Sequence, residues 1–312
     1  MNLPPGFTSR PATPDDLDAV AALIDAWELA HFGEAEANRS MLQFEWAAAW
    51  FDVERDTRII GTADGELAAY ADHATPDNGK RFQTFGPVHP RFEGRGLGTA
   101  ILGWSETQTR ARIEPGSETR LWNSVPAADT GVTRLLEAHG YVPIRTFCRM
   151  TIDLDPSFDG GPLPDGVTIR RFGAVDGPAA FAVVDAAFAT HFGYWEETFD
   201  DWWAQQQADE LWDPSLGLVA ERDGEIVGYS NNGVIDGMGH VFELGVLPQH
   251  QGRGIGRALL CYSFASFAAR GIRTGRLGVD TENVTGAFEL YRSVGMVPLR
   301  EHVVVEKRIE SG

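Results

Sequence analysis

The stretch Val246–Gly256, VLPQHQGRGIG, decides the fold of this chain, because an apolar strand ends there in a glycine-rich turn that opens onto a helix. Such a turn directs several backbone N–H groups toward one place, where an anion can bind. The stretch Val88–Gly98, VHPRFEGRGLG, repeats the pattern in the first half of the chain. The sequence therefore predicts two copies of one phosphate-binding unit.

Further similarities recur in the same order in both halves, which indicates that one domain has been duplicated. The matching pairs are His31–Gly33 with His191–Gly193, Ala63–Glu66 with Arg222–Glu225, Asn123 with Asn283, and Gly140–Pro143 with Gly295–Pro298. Between the halves, Asp155–Gly166 has the proline, glycine and aspartate content of a linker. We therefore predict an N-terminal domain over residues 1–154, a linker over 155–166 and a C-terminal domain over 167–312.

Each half has the same predicted order of elements. A short strand and an amphipathic helix are followed by two strands that are joined by Asp-Gly, a strong hairpin signal. Another strand then enters the glycine-rich turn and its helix, and a further strand, a short helix and a final hairpin complete the domain. The predicted fold class is α/β (α+β), with two tandem domains that each have a mixed, mostly antiparallel sheet and helices on both faces.

The composition argues against several classes of function. The chain has 312 residues and a formal net charge of -19, whereas nucleic acids and anionic membranes are bound by clustered lysine and arginine. No segment approaches the roughly 20 apolar residues that span a bilayer, and the N-terminus has no signal-peptide pattern, so we predict a cytoplasmic protein. The two cysteines lie in different halves without histidine or cysteine clusters, which predicts neither a disulfide nor a metal site.

The glycine-rich turn differs from two common phosphate-binding motifs. Leu259 stands where a Rossmann fingerprint has its third glycine, and the Gly-Lys-Ser/Thr of a P-loop does not follow. Together with its flanks, however, the turn resembles the acyl-CoA motifs of the GCN5-related N-acetyltransferase (GNAT) superfamily. The flanks that carry the resemblance are Ala258–Leu260, Val279–Asp280, Asn283, Gly286–Ala287, Leu290–Tyr291 and Gly295–Met296. The resemblance covers both halves, and the tandem arrangement is most similar to the two-domain actinobacterial branch of the superfamily.

The resemblance implies an acetyl-CoA-dependent N-acetyltransferase that holds the coenzyme A pyrophosphate on the backbone of the turn. The residues implied in this contact are Gln251, Gly252, Arg253, Gly254, Ile255, Gly256 and Arg257. The pantetheine arm would lie along Val241–Val246 like an added strand, and the N–H groups of Leu244 and Val246 would polarise the thioester carbonyl. Asn283 would contact the same arm or cap the next helix, and the two roles are compatible.

Acetyl transfer to an amine needs an acid for the leaving thiolate and a base for the amine. Tyr291 matches the tyrosine that many family members place near the coenzyme sulfur, so we predict it as the general acid, with aromatic packing as the alternative. Glu243 interrupts an apolar strand just before the turn, where it would be the base or a partly exposed strand residue. In the two-domain branch the acidic residue lies about three positions earlier, which makes His240 a rival base.

The N-terminal copy lacks these catalytic side chains. Leu136 occupies the position of Tyr291. Phe85 occupies that of Glu243, and Glu93 adds a negative charge beside the expected diphosphate site. The positions that could still bind a nucleotide are Val88, Gly94, Arg95, Gly96 and Gly98. We therefore predict that the chemistry takes place in the C-terminal domain.

Aromatic residues cluster after the first helix of each half, in the region that covers the acceptor pocket in the superfamily. In the C-terminal half, Tyr194 and Trp195 are candidates for binding the amine, with core packing as the alternative. The predicted substrate is a small-molecule amine. Protein N-terminal or lysine acetylation and a non-catalytic acyl-CoA sensor are the alternatives, and the sequence leaves the oligomeric state open.

Overall fold

The structure, a computed structural model, describes residues 1–36, 38–48, 50–75, 81–208, 212–283 and 285–311. The chain forms two compact units. The first contains Met1–Thr146 and Glu301–Gly312, and the second contains Phe147–Arg300. Each unit has a mixed, mostly antiparallel sheet with helices, which confirms the predicted fold class.

The chain contains the following strands and helices. The strands are β1 (Phe7–Arg10), β2 (Thr57–Thr62), β3 (Leu67–Ala74), β4 (Arg81–Phe85), β5 (Glu118–Pro126), β6 (Val142–Asp153), β7 (Val167–Arg171), β8 (Leu218–Arg222), β9 (Glu225–Ile235), β10 (Met238–Val246), β11 (Thr274–Asp280) and β12 (Val297–Glu310). The helices are α1 (Leu17–Phe32), α2 (Asn38–Ala47), α3 (Val53–Asp56), α4 (Leu97–Arg112), α5 (Thr130–Ala138), α6 (Gly177–Phe188), α7 (Phe199–Ala208), α8 (Ile255–Ala269) and α9 (Ala287–Ser293). The strand order is β1-β2-β3-β4-β5-β12 in the first unit and β6-β11-β10-β9-β8-β7 in the second. Among the described residues, no helix is long and apolar enough to cross a bilayer.

Helices cover both faces of the sheet in the second unit. On one face, Phe264 of α8 packs in a core cluster with Leu277 of β11. On the other face, Val183 of α6 and Trp202 of α7 pack with Tyr229 of β9. Burial of each large apolar side chain contributes about 1.5–3 kcal/mol, so both layers fix the positions of β10 and β11 between them.

The Asp-Gly turn of the second unit is a β-hairpin turn, as the sequence predicts. Asp223 has a φ of 54° and Gly224 a φ of 83°. Two consecutive left-handed residues are typical of a type I′ turn, whose twist matches that of the strands it joins, here β8 and β9. Helices α2 and α7 are absent from the predicted order of elements, and they lie in the aromatic segments that follow the first helix of each half.

The final hairpin predicted for each half is wrong, because each half ends in one long strand, β6 or β12. Residues Phe147–Asp153 of β6 pair with β11, and residues His302–Glu310 of β12 pair with β5. The last strand of the N-terminal repeat, β6, therefore pairs with a strand of the C-terminal repeat, and the last strand of the C-terminal repeat, β12, pairs with a strand of the N-terminal repeat. For this reason the units divide at residues 147 and 301, whereas the sequence repeats suggest boundaries near 154 and 167.

Candidate active site

A cleft opens in the second unit where the parallel strands β10 and β11 separate. In the described part of the chain they pair at only two positions, Gly239 with Gly275 and His240 with Arg276. Both strands continue beyond these pairs, and a cleft of about 350 Å³ lies between them. Its lining includes Val241, Leu244 and Val246 of β10, Leu277, Gly278, Val279 and Asp280 of β11, the turn before α8, and Tyr291 of α9.

The edge of β10 that faces the cleft carries backbone groups that no longer pair with β11. Leu247 donates its N–H to the carbonyl of Val227 in β9 at 3.0 Å. Because successive residues of a strand direct their polar groups to opposite sides, Leu244 and Val246 direct theirs toward the cleft. The carbonyl of Val246 accepts a hydrogen bond from Gln251 Nε2 at 3.0 Å. The two N–H groups predicted to polarise a thioester thus lie on the correct edge.

A β-bulge in β10 determines which face of the sheet each of its side chains occupies. The register with β9 shifts between Val241 and Glu243, so Phe242 is the extra residue. After the bulge, the side chain of Leu244 lies toward α8, and Gly245 lies against α6, where a Cβ would come within 3.1 Å of a side chain. Glu243, which alternates with Leu244, therefore lies on the α6 and α7 side of the sheet.

The glycine-rich turn has the backbone conformation that an anion cradle requires. Gly252 and Gly254 have φ values of 72° and 82°, a region that L side chains rarely adopt. The first N–H groups of α8 have no partner within the helix and carry its positive dipole end. The predicted cofactor residues that line the cleft are Leu244, Val246, Gln251, Gly252, Gly254, Ile255, Gly256, Arg257 and Asn283, whereas Arg253 lies outside the lining. The donors, the Arg257 charge and the strand edge together fit a coenzyme A diphosphate and its arm.

Tyr291 and Asn283 reach the cleft from the side of α9. Tyr291 lines the cleft, and burial raises the pKa of its hydroxyl to about 12, so the group is protonated at neutral pH. Asn283 Oδ1 accepts hydrogen bonds from the backbone N–H and hydroxyl of Thr285 at 2.7 and 2.6 Å, which closes a local turn. The N-cap of α9 is Gly286, so the predicted alternative that Asn283 caps this helix is wrong. Its Nδ2 lies 3.4 Å from Nε2 of His191, a cleft residue that the sequence signals only through the repeated His-Phe-Gly.

The two candidate bases have different surroundings. Glu243 is partly buried, and its Oε2 accepts a hydrogen bond from Asn231 Nδ2 at 3.3 Å. Burial raises the pKa of Glu243 to about 7, which places its titration near neutrality. His240 is buried before the bulge, where its ring stacks on Phe242 at a centroid distance of 6.0 Å. Neither lines the cleft itself, and Glu243 is the one beside the polar residues of the α6 and α7 face.

Replacing Glu243 with glutamine is expected to flatten the pH dependence of folding stability between about pH 5 and pH 8. The pKa of Glu243 is raised from 4.5 in the unfolded chain to about 7 in the folded chain, so ionisation favours unfolding. The wild type should lose stability as the pH rises through this window. Urea unfolding at both pH values measures the loss, with Glu225→Gln at an exposed turn as the control. An equal loss in the wild type and in Glu243→Gln would contradict this account.

The turn of the first unit keeps the backbone conformation but differs in its surroundings. The corresponding residues are Val88, Gly94, Arg95, Gly96 and Gly98, with φ values of 72° at Gly94 and 84° at Gly96. A Cβ on Gly98 would lie only 2.8 Å from Leu135 Cδ2, whereas the equivalent Gly256 has its nearest neighbours at 3.6 Å. Arg95 lies over a phenylalanine ring of the same turn at 5.1 Å. The turn in the first unit is therefore packed more closely.

Three polar side chains of the first unit meet where cleft residues stand in the second. His31 Nε2 lies 3.1 Å from Asp129 Oδ2 and 3.6 Å from Glu93 Oε1. Asp129 donates its N–H across a turn to the carbonyl three residues earlier, as Asn283 does. Asp129 is therefore the structural counterpart of Asn283, and the sequence match with Asn123 is wrong, since Asn123 lies within β5. In the first unit the carboxylates of Glu93 and Asp129 therefore replace the neutral amides of Gln251 and Asn283.

The backbone also identifies the counterpart of the predicted acid. The carbonyl of Tyr291 accepts the N–H of Met296 at 3.2 Å, and the carbonyl of Leu136 accepts that of Tyr141 at 3.0 Å. Leu136 is fully buried in the core of the first unit. Its side chain is a hydrocarbon and cannot donate a proton. The two units therefore share a backbone arrangement at this position and differ in the side chain that the sequence predicts as the general acid.

Comparison with known proteins identifies the family. Residues 184–296 match the family model for the acetyltransferase (GNAT) family. The chain is 33% identical to the mycothiol acetyltransferase of Thermobispora bispora over 298 residues, which cover 91% of this chain and 93% of the relative. The chain belongs to the GNAT acetyltransferase family. As a GNAT protein, it is an acetyl-CoA-dependent N-acetyltransferase.

Solved GNAT structures resemble the whole chain. A GCN5-related N-acetyltransferase from Sphaerobacter thermophilus has a TM-score of 0.88 and 34% identity, and the match covers 100% of this chain and 98% of that one. A tandem GNAT protein from the clavulanic acid biosynthesis pathway has a TM-score of 0.74 at 16% identity, covering 98% and 99% of the two chains. The second similarity is one of fold, and the tandem arrangement of that protein is the one that the sequence predicts for this chain.

Proposed function

We propose that the C-terminal domain transfers the acetyl group of acetyl-CoA to a primary amine of a small molecule, and that the N-terminal domain is not catalytic. The observation that carries the proposal is the cleft between β10 and β11, which has the glycine-rich turn at one end and Tyr291 in its lining. Glu243 lies on the adjacent face of β10. The first unit has Leu136 and Phe85 at these two positions.

Acetyl-CoA supplies a thioester whose carbonyl carbon accepts the amine and whose sulfur leaves as a thiolate. The chain binds the diphosphate with the N–H groups at the start of α8 and directs the N–H groups of Leu244 and Val246 toward the developing oxyanion. Glu243 removes a proton from the ammonium of the acceptor, and Tyr291 donates a proton to the departing sulfur. Because a pKa near 7 leaves Glu243 substantially ionised at neutral pH, it can act as a base there.

Thiol release from acetyl-CoA in the presence of an amine panel tests this function. The panel contains simple amines, amino sugars, a cysteinyl amino-sugar conjugate, and peptides with free N-termini or lysines. We expect turnover with at least one small amine, and mass spectrometry should show an added acetyl group on its nitrogen. Turnover with peptides alone, or no acetylation of any small amine, would contradict the proposed substrate class.

Gly254→Ala and Gly96→Ala form a matched pair that tests which unit binds the cofactor. Both glycines precede a helix with nearly equal φ values, 82° and 84°, and both have a proline side chain as the nearest neighbour, at 3.5 and 3.3 Å. An alanine in this conformation costs about 1–2 kcal/mol, so both variants should lose similar stability. Gly254→Ala should also raise the KM for acetyl-CoA by about tenfold, which corresponds to 1.4 kcal/mol.

Steady-state kinetics and urea unfolding of the two variants measure these effects side by side. The KM of Gly96→Ala should remain within about twofold of the wild-type value, because the proposed cleft does not include Gly96. A larger increase in KM for Gly96→Ala than for Gly254→Ala would assign the productive cofactor site to the first unit and contradict the proposal.

A further inference from the structure

Carboxylates gather on the face of the second unit that is covered by α6 and α7. The group consists of Asp185, Glu196, Glu197, Asp201 and Glu243, and is called here the acidic face. In the part of the chain that the structure describes, none of the five forms an ion pair with a lysine, arginine or histidine. Glu197 and Asp185 are partly buried, so their charges are only partly screened by water. The acidic face therefore has an excess of negative charge.

Two neighbouring glutamines of α7 connect Glu197 with the side chain that contacts Glu243. Gln205 Nε2 donates to Glu197 Oε2 at 3.0 Å. The side chain of Asn231 donates from Nδ2 to Gln206 Oε1 at 3.0 Å and to Glu243 Oε2 at 3.3 Å. Gln205 and Gln206 are consecutive residues of α7, so one turn of this helix contacts Glu197 directly and is linked to Glu243 through Asn231.

The charges of these groups affect one another. Besides burial, which is the larger cause, the charge of Glu197 raises the pKa of Glu243. Burial also raises the pKa of Glu197, and the charge of Asp185 adds to this shift. Asp185 in turn accepts a hydrogen bond from the hydroxyl of Tyr194, a residue predicted to bind the acceptor. The three carboxylates thus form one electrostatic group that a cation would stabilise.

The side chain that contacts Glu243 through its Nδ2 also carries an unsatisfied buried acceptor, which indicates independently that a donor binds there. Asn231 is only 5% exposed, and within the described residues its Oδ1 accepts no hydrogen bond. A buried acceptor without a donor is costly, so native structures rarely leave one unpaired. Since the same side chain contacts Glu243, the N–H groups of an ammonium at that carboxylate are suitable donors for Asn231 Oδ1.

One ammonium at Glu243 leaves Glu197 and Asp185 without a cation, and a second positive charge on the same molecule compensates them. We infer that the acceptor is a diamine, whose reacting amine binds beside Glu243 and Asn231 and whose second ammonium binds Glu197 and Asp185. The inference rests on the proposed acetylation of a small amine and specifies its substrate class. The second ammonium raises the effective concentration of the first at the reacting centre.

A comparison of 1,4-diaminobutane with butylamine tests the inference. In the wild type, we expect kcat/KM for the diamine to exceed that for the monoamine by about tenfold or more, because only the diamine makes the second charge-assisted contact with Glu197 and Asp185. At pH 8, where Glu243 is ionised with or without the neighbouring charge, the KM for the diamine in Glu197→Gln should rise by about tenfold, while that for butylamine should change by less than about twofold. Gln205 can still donate to the new side chain, so the fold should be preserved. Glu225→Gln, which removes a charge at an exposed turn, should behave like the wild type.

Binding without turnover separates this inference from the proposed function. The diamine should raise the Tm of the wild type, and Glu197→Gln should abolish the increase, even in the absence of acetyl-CoA. Equal kcat/KM values for the diamine and the monoamine, with no effect of Glu197→Gln, would overturn the inference and leave amine acetylation intact. If no small amine is acetylated although the diamine raises the Tm, the proposed function fails while the diamine site stands.

Discussion

Tyr291→Phe is expected to lower kcat by about 10²–10⁴-fold, because it removes the proton donor for the departing thiolate. The phenyl ring of the variant keeps the packing of the tyrosine in the cleft, so the KM for acetyl-CoA should change little. The raised pKa of about 12 keeps the wild-type hydroxyl protonated over the working pH range. Thiol release at saturating acetyl-CoA and amine measures the effect.

The matched control is Tyr262→Phe, which removes a hydroxyl from α8 outside the residues that line the cleft. Its kcat should stay close to that of the wild type. A Tyr291→Phe enzyme that turns over as fast as Tyr262→Phe would show that Tyr291 serves packing alone. In that case, protonation of the thiolate by water would be sufficient.

Glu243→Gln is expected to lower kcat/KM by about 10²-fold or more at pH 8 and to remove the rise in activity near pH 7. A base must be deprotonated to accept a proton, and burial raises the pKa of Glu243 to about 7. In the wild type, kcat/KM should therefore increase as the pH rises toward 7 and level off above it. The amide of glutamine cannot accept the proton, and its similar shape leaves the hydrogen bond to Asn231 geometrically possible.

His240→Gln distinguishes the rival base. The structure places His240 in the buried part of β10 before the bulge, so this variant should retain the rise in kcat/KM near pH 7. The pH profile of each variant, measured with one amine at concentrations below KM, gives the comparison. Loss of the rise in His240→Gln, with its retention in Glu243→Gln, would assign the base to the histidine instead.

The glycine-rich turns could be predicted from the sequence, because the positive φ angles that they need depend on the glycines themselves and not on distant contacts. Gly252 and Gly254 adopt left-handed backbone conformations, and the matching glycines of the first unit do the same. A pattern of glycines before an apolar helix therefore indicates the conformation without knowledge of the rest of the chain. The Asp-Gly turn between β8 and β9 is predictable for the same reason, since Asp223 and Gly224 supply the conformation themselves.

Features that depend on pairing between distant strands were not predictable in detail. The bulge at Phe242 arises from the register of β10 with β9, and it determines which face Glu243 occupies. The final strands β6 and β12 were predicted as hairpins, because the sequence does not reveal that each pairs with a strand from the other repeat. Likewise, Asp129 was missed as the counterpart of Asn283, since the spacing between the aligned residues differs in the two halves.

The acidic face escaped detection for a related reason. The sequence shows Glu197 next to the aromatic residues Tyr194 and Trp195, but nothing in it indicates that α7 connects this carboxylate with Glu243. The contact depends on Gln205 and Gln206, which connect the helix to Glu197 and to Asn231. Side chains from four separate segments meet there, and only the folded chain shows their common charge.

The central claim is that acetyl transfer takes place in the cleft between β10 and β11 of the second unit. A crystal structure with bound coenzyme A tests it most directly, through the electron density in the two glycine-rich turns. We expect the diphosphate at the start of α8 and the sulfur within hydrogen-bond distance of the Tyr291 hydroxyl. Density for the cofactor at Gly94–Gly98 alone, or a sulfur far from Tyr291, would contradict the claim.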